Sequence, residues 1–208
     1  MSLADSLNNF RMGITQINTF ISIAYEQDDK GNYLYDDIKQ EFIITSAFLR
    51  MFIYWETFIE DAFSKYLIGK NSTLGTTVEC YMTPDSQGHA LKLLIGTQKH
   101  VDWANHEIVR RLAQLYLKDG NPIVSNIDSI SSELADLRTI RNAAAHISST
   151  TQKQIDALAS RISGKNVVNT SVARLVMSLH PKDTSKTVLQ FYQNILDIGA
   201  ENIAANRI

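Results

Sequence analysis

The feature that most constrains this chain is the segment 36–68, which is apolar on most sides of a helix rather than along one stripe. Its apolar residues are Phe42, Ile43, Ile44, Phe48, Leu49, Met51, Phe52, Ile53, Trp55, Phe58, Ile59 and Phe63. Asp36 and Asp37 favour a helix start, and Gly69 favours its end. Because a helix that is apolar nearly all round has to be buried on several faces, the segment predicts the central helix of a bundle, or one shared between a bundle and a subunit interface.

The rest of the chain also favours helices, since only three prolines interrupt its 208 residues and strict apolar–polar alternation is scarce. Helices are predicted over 3–26, 36–68, 89–95, 98–118, 126–146, 152–162 and 184–204. The segment 70–88 is predicted to be irregular, and 172–177 to form a helical turn or a short strand. We therefore expect an all-α bundle with a long central helix. It forms one domain over 1–208, with a core at about 1–147 and a C-terminal helical part at about 150–208.

Two of these helices are predicted from particular side chains. The inward face of 98–118 is expected to consist of five apolar residues, namely Val101, Ala104, Ile108, Leu112 and Leu115. Ser125 and Asp128 fit a capping box, which predicts that the next helix starts near Asn126 and ends near His146.

Composition narrows the classes of function. A net charge of −2 does not suit a protein that coats nucleic acid through bulk charge. The single cysteine, Cys80, excludes an intrachain disulfide and a cysteine-based zinc site. His106-Glu107 begins like a zinc-protease motif, but Arg110 stands where the second histidine belongs, so we expect no metal.

Neither a basic, apolar leader nor a run of eighteen apolar residues is present, so we expect a cytoplasmic protein without a membrane partner.

The densest cluster of chemically useful side chains lies in the predicted helix 126–146. At about 100° per residue, Arg138, Asn142 and His146 form a row at four-residue steps. Arg141 falls inside the neighbouring apolar stripe, about 140° from His146. These two side chains therefore make a poor site within one helix, whereas two copies of the helix related by a two-fold axis can pool them in one cleft.

Glu56 is a charge inside an apolar stripe of the central helix, on the same face as Leu49 and Phe63. Burying an unpaired charge in such a stripe is costly, and Arg141 occupies a similar position on its own helix. We predict that Glu56 pairs with Arg141 or Arg138 and holds that arginine in place. A Glu56 side chain in open solvent would contradict this prediction.

The segment Arg141-Asn142-Ala143-Ala144-Ala145-His146 resembles the R-N-x-x-x-H signature of HEPN domains, which are all-α bundles in many prokaryotic toxin and defence ribonucleases. The chain is most similar to the RiboL-PSP-HEPN group. The similarity lies in length, in an apolar helix with acidic residues at 55–61, and in a motif helix of the Leu-Arg-x-x-Arg-Asn type. The resemblance is specific over 134–146 and looser over 40–66.

The resemblance implies metal-independent cleavage of RNA in a cleft at a homodimer interface. It also implies a toxin or antiphage protein, which an antitoxin or regulatory partner restrains. The catalytic roles of the family map onto Arg141 and His146, and Asn142 matches the polar residue that commonly follows the arginine. On this reading Arg141 binds the scissile phosphate, His146 is the general acid and base, and Asn142 orients one of them. Arg138 is structural or positions a phosphate.

The chemistry of these residues is consistent with the resemblance. Histidine exchanges protons near neutral pH, and arginine holds a phosphate through a fork of donors. RNA supplies its own nucleophile, the 2′-hydroxyl, so cleavage at these two groups needs no cofactor. The expected product is a 2′,3′-cyclic phosphate.

Two other interpretations are open at this point. The chain could be a non-catalytic HEPN-like module that binds a nucleotide or a partner protein and keeps the motif for dimerisation. It could also be a purely structural helical bundle, in which His146 only caps a helix end.

Overall fold

The computed structural model describes residues 2–97 and 99–208, and in that part of the chain the protein is mostly helical with one two-stranded sheet. The prediction of an all-α class is confirmed at this level. The elements are α1 (Leu3–Ala24), α2 (Asp37–Leu67), α3 (Gln87–Ile95), α4 (His106–Tyr116), α5 (Pro122–Ser129), α6 (Ser131–Ala145), α7 (Ser149–Ser163), α8 (Val172–Met177), β1 (Leu179–His180), β2 (Asp183–Thr187) and α9 (Val188–Ala205).

Residue contacts divide the chain into two compact units. Unit 1 contains residues 1–12, 54–134 and 195–208, and unit 2 contains residues 13–53 and 135–194. The boundaries fall inside α1, α2, α6 and α9. The single-domain organisation stays a prediction.

The central helix was placed correctly by its sequence, because α2 covers Asp37–Leu67 and Gly69 beyond it has a left-handed backbone (φ +73°). Its second half is buried on several faces, as expected; Phe52, Phe58 and Phe63 are each at most 2% exposed. Its first half differs, since Ile38 and Phe42 are 82% and 73% exposed. These two apolar residues therefore remain available to a subunit interface. That the helix is shared with such an interface stays a prediction.

By length and composition alone, α2 is also the one helix in the described ranges that could cross a membrane. In its most apolar window, 44% of the residues are buried inside the protein, and the core helix of a soluble protein passes the same test. The cytoplasmic location stays a prediction.

The helix predicted over 98–118 is shorter than expected. It starts at His106, because the Asn105 side chain accepts a hydrogen bond from the Glu107 amide (3.2 Å) and caps the helix there. The buried face of α4 is centred on Val109 and Ala113. Ile108 and Leu112 are half-buried beside it, whereas the prediction for Leu115 is wrong, because this residue is 64% exposed. Val101 and Ala104 are buried as predicted, although they precede the helix.

The helix predicted over 126–146 is two helices, α5 and α6, and the predicted capping box at Ser125 and Asp128 is wrong. Pro122 occupies the first turn of α5, and the Asn121 side chain accepts a hydrogen bond from the Val124 amide (3.0 Å). The Ile130 backbone (φ −119°, ψ 22°) leaves the helical conformation and separates the two helices.

The C-terminal helix starts at Val188 rather than at 184 because β1 and β2 form an antiparallel hairpin before it. Asp183 favours this turn, since its side chain accepts hydrogen bonds from the amide (3.2 Å) and the hydroxyl (2.6 Å) of Ser185. Thr187 and Gln190 then form a reciprocal capping pair, with donor–acceptor distances of 3.2 and 2.9 Å.

A buried ion pair supports the core of unit 1. The Lys65 side chain is 2% exposed, and its three donors reach the Asp61 carboxylate (2.6 Å), the Ser6 hydroxyl (2.7 Å) and the Ser2 carbonyl (2.9 Å). Gln87 donates to the other oxygen of Asp61 at 2.8 Å. Burial raises the pKa of Asp61, but hydrogen bonds from Lys65, Ser6 and Gln87 outweigh it and hold the pKa below its ordinary value. This network links the start of α1, the end of α2 and the start of α3.

His180 in unit 2 makes folding stability depend on pH. The imidazole stacks on Phe191 (ring centroids 3.7 Å apart), and its Nδ1 accepts a hydrogen bond from the Lys182 amide (3.2 Å). Burial, and then the charge of Lys182, lower the pKa of His180. An unfolded imidazole binds a proton near pH 6.5, whereas the folded one binds it only at lower pH, so stability falls as the pH drops below about 6.5.

We therefore expect the free energy of unfolding, measured with urea, to decrease from pH 7.5 to pH 5.5. His180→Gln is expected to flatten this slope, because the variant cannot titrate. The exposed His100 provides the control: the slope of His100→Gln should match that of the wild type. Equal slopes for all three proteins would contradict the assignment to His180.

Candidate functional site

The motif helix α6 is anchored by apolar residues three positions apart. Leu134, Leu137 and Ile140 are each at most 2% exposed, as their spacing predicted. The polar residues of the motif are less buried: Arg138, Arg141 and Asn142 are half-buried, and His146 is exposed. The helix thus holds its polar residues at the surface while its apolar side is fixed by packing.

Asp136 is a second anchor of α6, within unit 2, that the sequence analysis missed. Its carboxylate accepts a hydrogen bond from the Tyr192 hydroxyl of α9 (2.8 Å), and it forms an ion pair with Arg161 of α7. The Asp136 side chain is only 16% exposed. An acidic residue two positions before Arg138 was the available signal, but its partners are 25 and 56 residues away in the sequence.

The structure brings Arg141 and Asn142 together. The Arg141 guanidinium donates to the side-chain oxygen of Asn142 at 3.3 Å. One donor of the guanidinium fork is therefore held by its neighbour, which restricts the orientation of the group. Arg138, one turn earlier, is also half-buried.

His146 lies directly after the last residue of α6. Its amide still donates to the Asn142 carbonyl (2.9 Å), so its backbone continues the helical pattern for one more residue. Its carbonyl accepts a hydrogen bond from the Thr151 hydroxyl (2.6 Å), and Thr151 also forms a capping box with Ser148 at the start of α7. The backbone of His146 is therefore fixed from both sides, while its imidazole faces solvent.

Glu56 is half-buried on α2 and belongs to unit 1, whereas Arg138 and Arg141 belong to unit 2. Its side chain is thus not in open solvent. A fully exposed side chain would have contradicted the predicted pairing. The pairing of Glu56 with either arginine stays a prediction.

A cavity of about 310 Å³ lies beside the end of the motif helix, entirely within unit 2. Ala143 and Ala144 of α6, Ile147 and Ser148 after His146, and Thr151 of α7 form one side of it. Residues of α2 and of the segment before α8 form the other side. No motif in the sequence indicated this cavity, because its walls come from four segments that are distant along the chain.

Exposed apolar side chains accompany the site. Ile147, next to His146, is fully exposed, and Phe42 and Ile38 of α2 are largely exposed. Phe42 directly follows Glu41, which lines the same cavity as Ile147. Large apolar side chains that are this exposed are candidates for an interaction surface.

The arrangement combines a restrained guanidinium, an exposed imidazole and a neighbouring cavity. A guanidinium can hold a phosphate, and an accessible imidazole can exchange protons at neutral pH. In the described ranges, no three His, Cys, Asp or Glu side chains group closely enough to hold a metal ion. No family model, curated protein or solved structure matches the chain.

Proposed function

We propose that this protein is a HEPN-type endoribonuclease that cleaves RNA without a metal, as a homodimer in which each copy contributes to a composite site. The observation that carries the proposal is the geometry at the end of α6. The Arg141 guanidinium is oriented by Asn142, and His146 presents an exposed imidazole on a backbone fixed by Asn142 and Thr151. The HEPN-like bundle itself is part of the proposal.

In the proposed reaction, His146 removes the proton from a 2′-hydroxyl, whose oxygen then attacks the adjacent phosphorus. The bond from phosphorus to the 5′-oxygen breaks, and that oxygen takes a proton from an imidazolium. The products are a 2′,3′-cyclic phosphate and a 5′-hydroxyl. Arg141 neutralises the charge that develops on the non-bridging oxygens, and Arg138 positions a neighbouring phosphate.

The composite site is supported by the direction of the side chains. Arg141 and His146 are five positions apart, so they leave the helix axis about 140° apart, and a single helix does not converge them on one phosphate. A second copy related by a two-fold axis supplies the missing group. The exposed Ile147, Phe42 and Ile38 provide apolar surface for such a dimer.

The chemistry is tested with purified protein, total RNA and tRNA in buffer that contains EDTA. We expect cleavage that continues in EDTA and leaves 2′,3′-cyclic phosphate ends. An oligonucleotide with one 2′-deoxy residue at the mapped cleavage position is the matched control, and it should remain intact at that position. Cleavage of this control, or a complete dependence on divalent metal, would contradict the mechanism.

Complementation between two variants tests the composite site. Arg141→Ala and His146→Ala are each expected to be nearly inactive, whereas a heterodimer retains one intact arginine and one intact histidine on different copies. Co-expressed and co-purified, the two variants should regain activity on the order of tenfold above either alone. A heterodimer as inactive as its parents would place both groups of one site on the same chain.

A non-catalytic module that binds a nucleotide is the second candidate, and the cavity beside the motif helix favours it. Saturable nucleotide binding without any cleavage of RNA would support this candidate. The toxin or antiphage role, with an antitoxin or regulatory partner, is proposed from the resemblance alone. It predicts that expression slows growth and that Arg141→Ala relieves the effect.

A further inference from the structure

The cavity beside the end of α6 is joined to His146 by a single side chain. Thr151 lines the cavity and also donates its hydroxyl hydrogen to the His146 carbonyl at 2.6 Å. Ile147 and Ser148, which follow His146, line the cavity as well. A group held in this cavity therefore lies beside the backbone of the proposed catalytic histidine.

The charge of the cavity disfavours a phosphate as its occupant. Among the lining residues that the structure describes, Glu41 is the one that carries a formal charge. A carboxylate repels a phosphate, and the cationic side chains of the motif, Arg138 and Arg141, are outside this lining. The cavity therefore suits a neutral group attached to a phosphate that lies outside it.

Among the polar groups of the cavity, the Glu41 carboxylate and the Gln152 amide oxygen can only accept hydrogen bonds from a ligand. The Gln152 amide donates to Asp156 (3.0 Å) and to the Thr170 carbonyl (2.9 Å), so its oxygen is left as the acceptor. Asp156 also accepts from the amides of Thr170 (2.9 Å) and Asn169 (3.0 Å) and so holds this wall in place. Within the described ranges, neither the Gln152 oxygen nor the Glu41 carboxylate accepts another side-chain hydrogen bond.

The remaining walls are apolar or small. Ile155 and Val172 are 2% and 7% exposed, and Ala143 and Ala144 leave room above them. A volume of about 310 Å³ is at the lower end of the range for small-molecule sites. A small, neutral group that carries a hydrogen-bond donor matches the two acceptors and the apolar walls.

We propose that this cavity is a nucleobase subsite that prefers adenine or cytosine, which carry a 6- or 4-amino group, over uracil. The amino group donates to the Glu41 carboxylate, as the cytosine amino group does to carboxylates in base recognition, and to the Gln152 oxygen. Uracil presents carbonyl oxygens at the corresponding edge, and these face two acceptors. That the base belongs to RNA rests on the proposed function. Binding of the base itself can be tested separately.

The first experiment titrates the isotope-labelled full chain with adenosine, cytidine and uridine and records amide shifts by NMR. Adenosine or cytidine should saturably shift the amides of Ser148, Gln152 and Thr170, with uridine about tenfold weaker. Glu41→Ala should weaken amino-nucleoside binding about tenfold. Glu26→Ala, which removes an exposed carboxylate outside the cavity, should not. Equal binding of all three nucleosides, or no binding, would overturn the subsite.

The second experiment maps cleavage positions on a mixed-sequence RNA with Thr45→Trp, which places an indole in the cavity and leaves the motif helix unchanged. We expect the preference for A or C beside the cut to disappear while cleavage continues. Cleavage by the wild type with no base preference overturns the subsite and leaves the nuclease. Selective nucleoside binding without cleavage supports the subsite and overturns the nuclease.

Discussion

Replacement of His146 by alanine is expected to lower the single-turnover rate of RNA cleavage by about 10²- to 10⁴-fold, which is the contribution of one positioned general acid or base. The loss should be in the chemical step, because the imidazole is exposed and α6 is anchored without it. Rates are measured with protein in excess over a labelled RNA, in buffer that contains EDTA.

His89 provides the matched control, since it is also an exposed histidine on a helix. His89→Ala should cleave at the wild-type rate. The two variants should also have the same melting temperature as the wild type, because neither imidazole is buried. Equal rates for His146→Ala and wild type would remove His146 from the mechanism, whatever the fold of the protein.

Replacement of Asp61 by alanine is expected to be the most destabilising of the substitutions considered, with a loss of about 3 kcal/mol in the free energy of unfolding. Removing the carboxylate leaves the Lys65 ammonium, which is 2% exposed, without its charged partner. The pKa of Asp61 lies below its ordinary value, so its stabilising effect is present above about pH 4 and is lost as the pH falls through the folded pKa. The difference between variant and wild type, measured with urea, should therefore shrink in acid.

Asp197 provides the control for this prediction. It also pairs with a basic residue, Arg11, at 2.7 Å, but both side chains are about 40% exposed. Water screens such a pair, so Asp197→Ala should cost less than about 1 kcal/mol. Equal losses for the two variants would mean that burial of the Lys65 pair adds nothing to stability.

The helices differ in how well their bounds and buried faces were predicted from the sequence. The bounds of α2 were predicted because a long apolar segment and a glycine in the left-handed conformation act within one helix. The start of α9 was predicted too early, at 184, because apolar spacing does not show where a helix begins; the capping pair of Thr187 and Gln190 sets its start at Val188. The face of α4 was predicted in part from Val101 and Ala104, which precede the helix and therefore carry no information on which of its sides is buried.

The candidate site shows the same division. The sequence indicated Arg138, Arg141, Asn142 and His146 as candidates, since they lie within nine positions of one another. It did not identify Asp136 as an anchor, because Tyr192 and Arg161 approach it only when α7 and α9 pack against α6. The cavity was also missed, because Glu41, Thr151 and Asn169 meet only in the folded chain.

The helical class, the long apolar helix and the positions of Arg138, Arg141 and Asn142 on one helix follow from the sequence alone. These properties depend on periodicity and capping, which act over a few residues. The tertiary structure alone decided that Lys65 is buried beside Asp61, that Ile38 and Phe42 are exposed although they lie in an apolar segment, and that a cavity forms next to His146. Burial and cavity shape depend on which distant segments pack together, and no local pattern of residues encodes that choice.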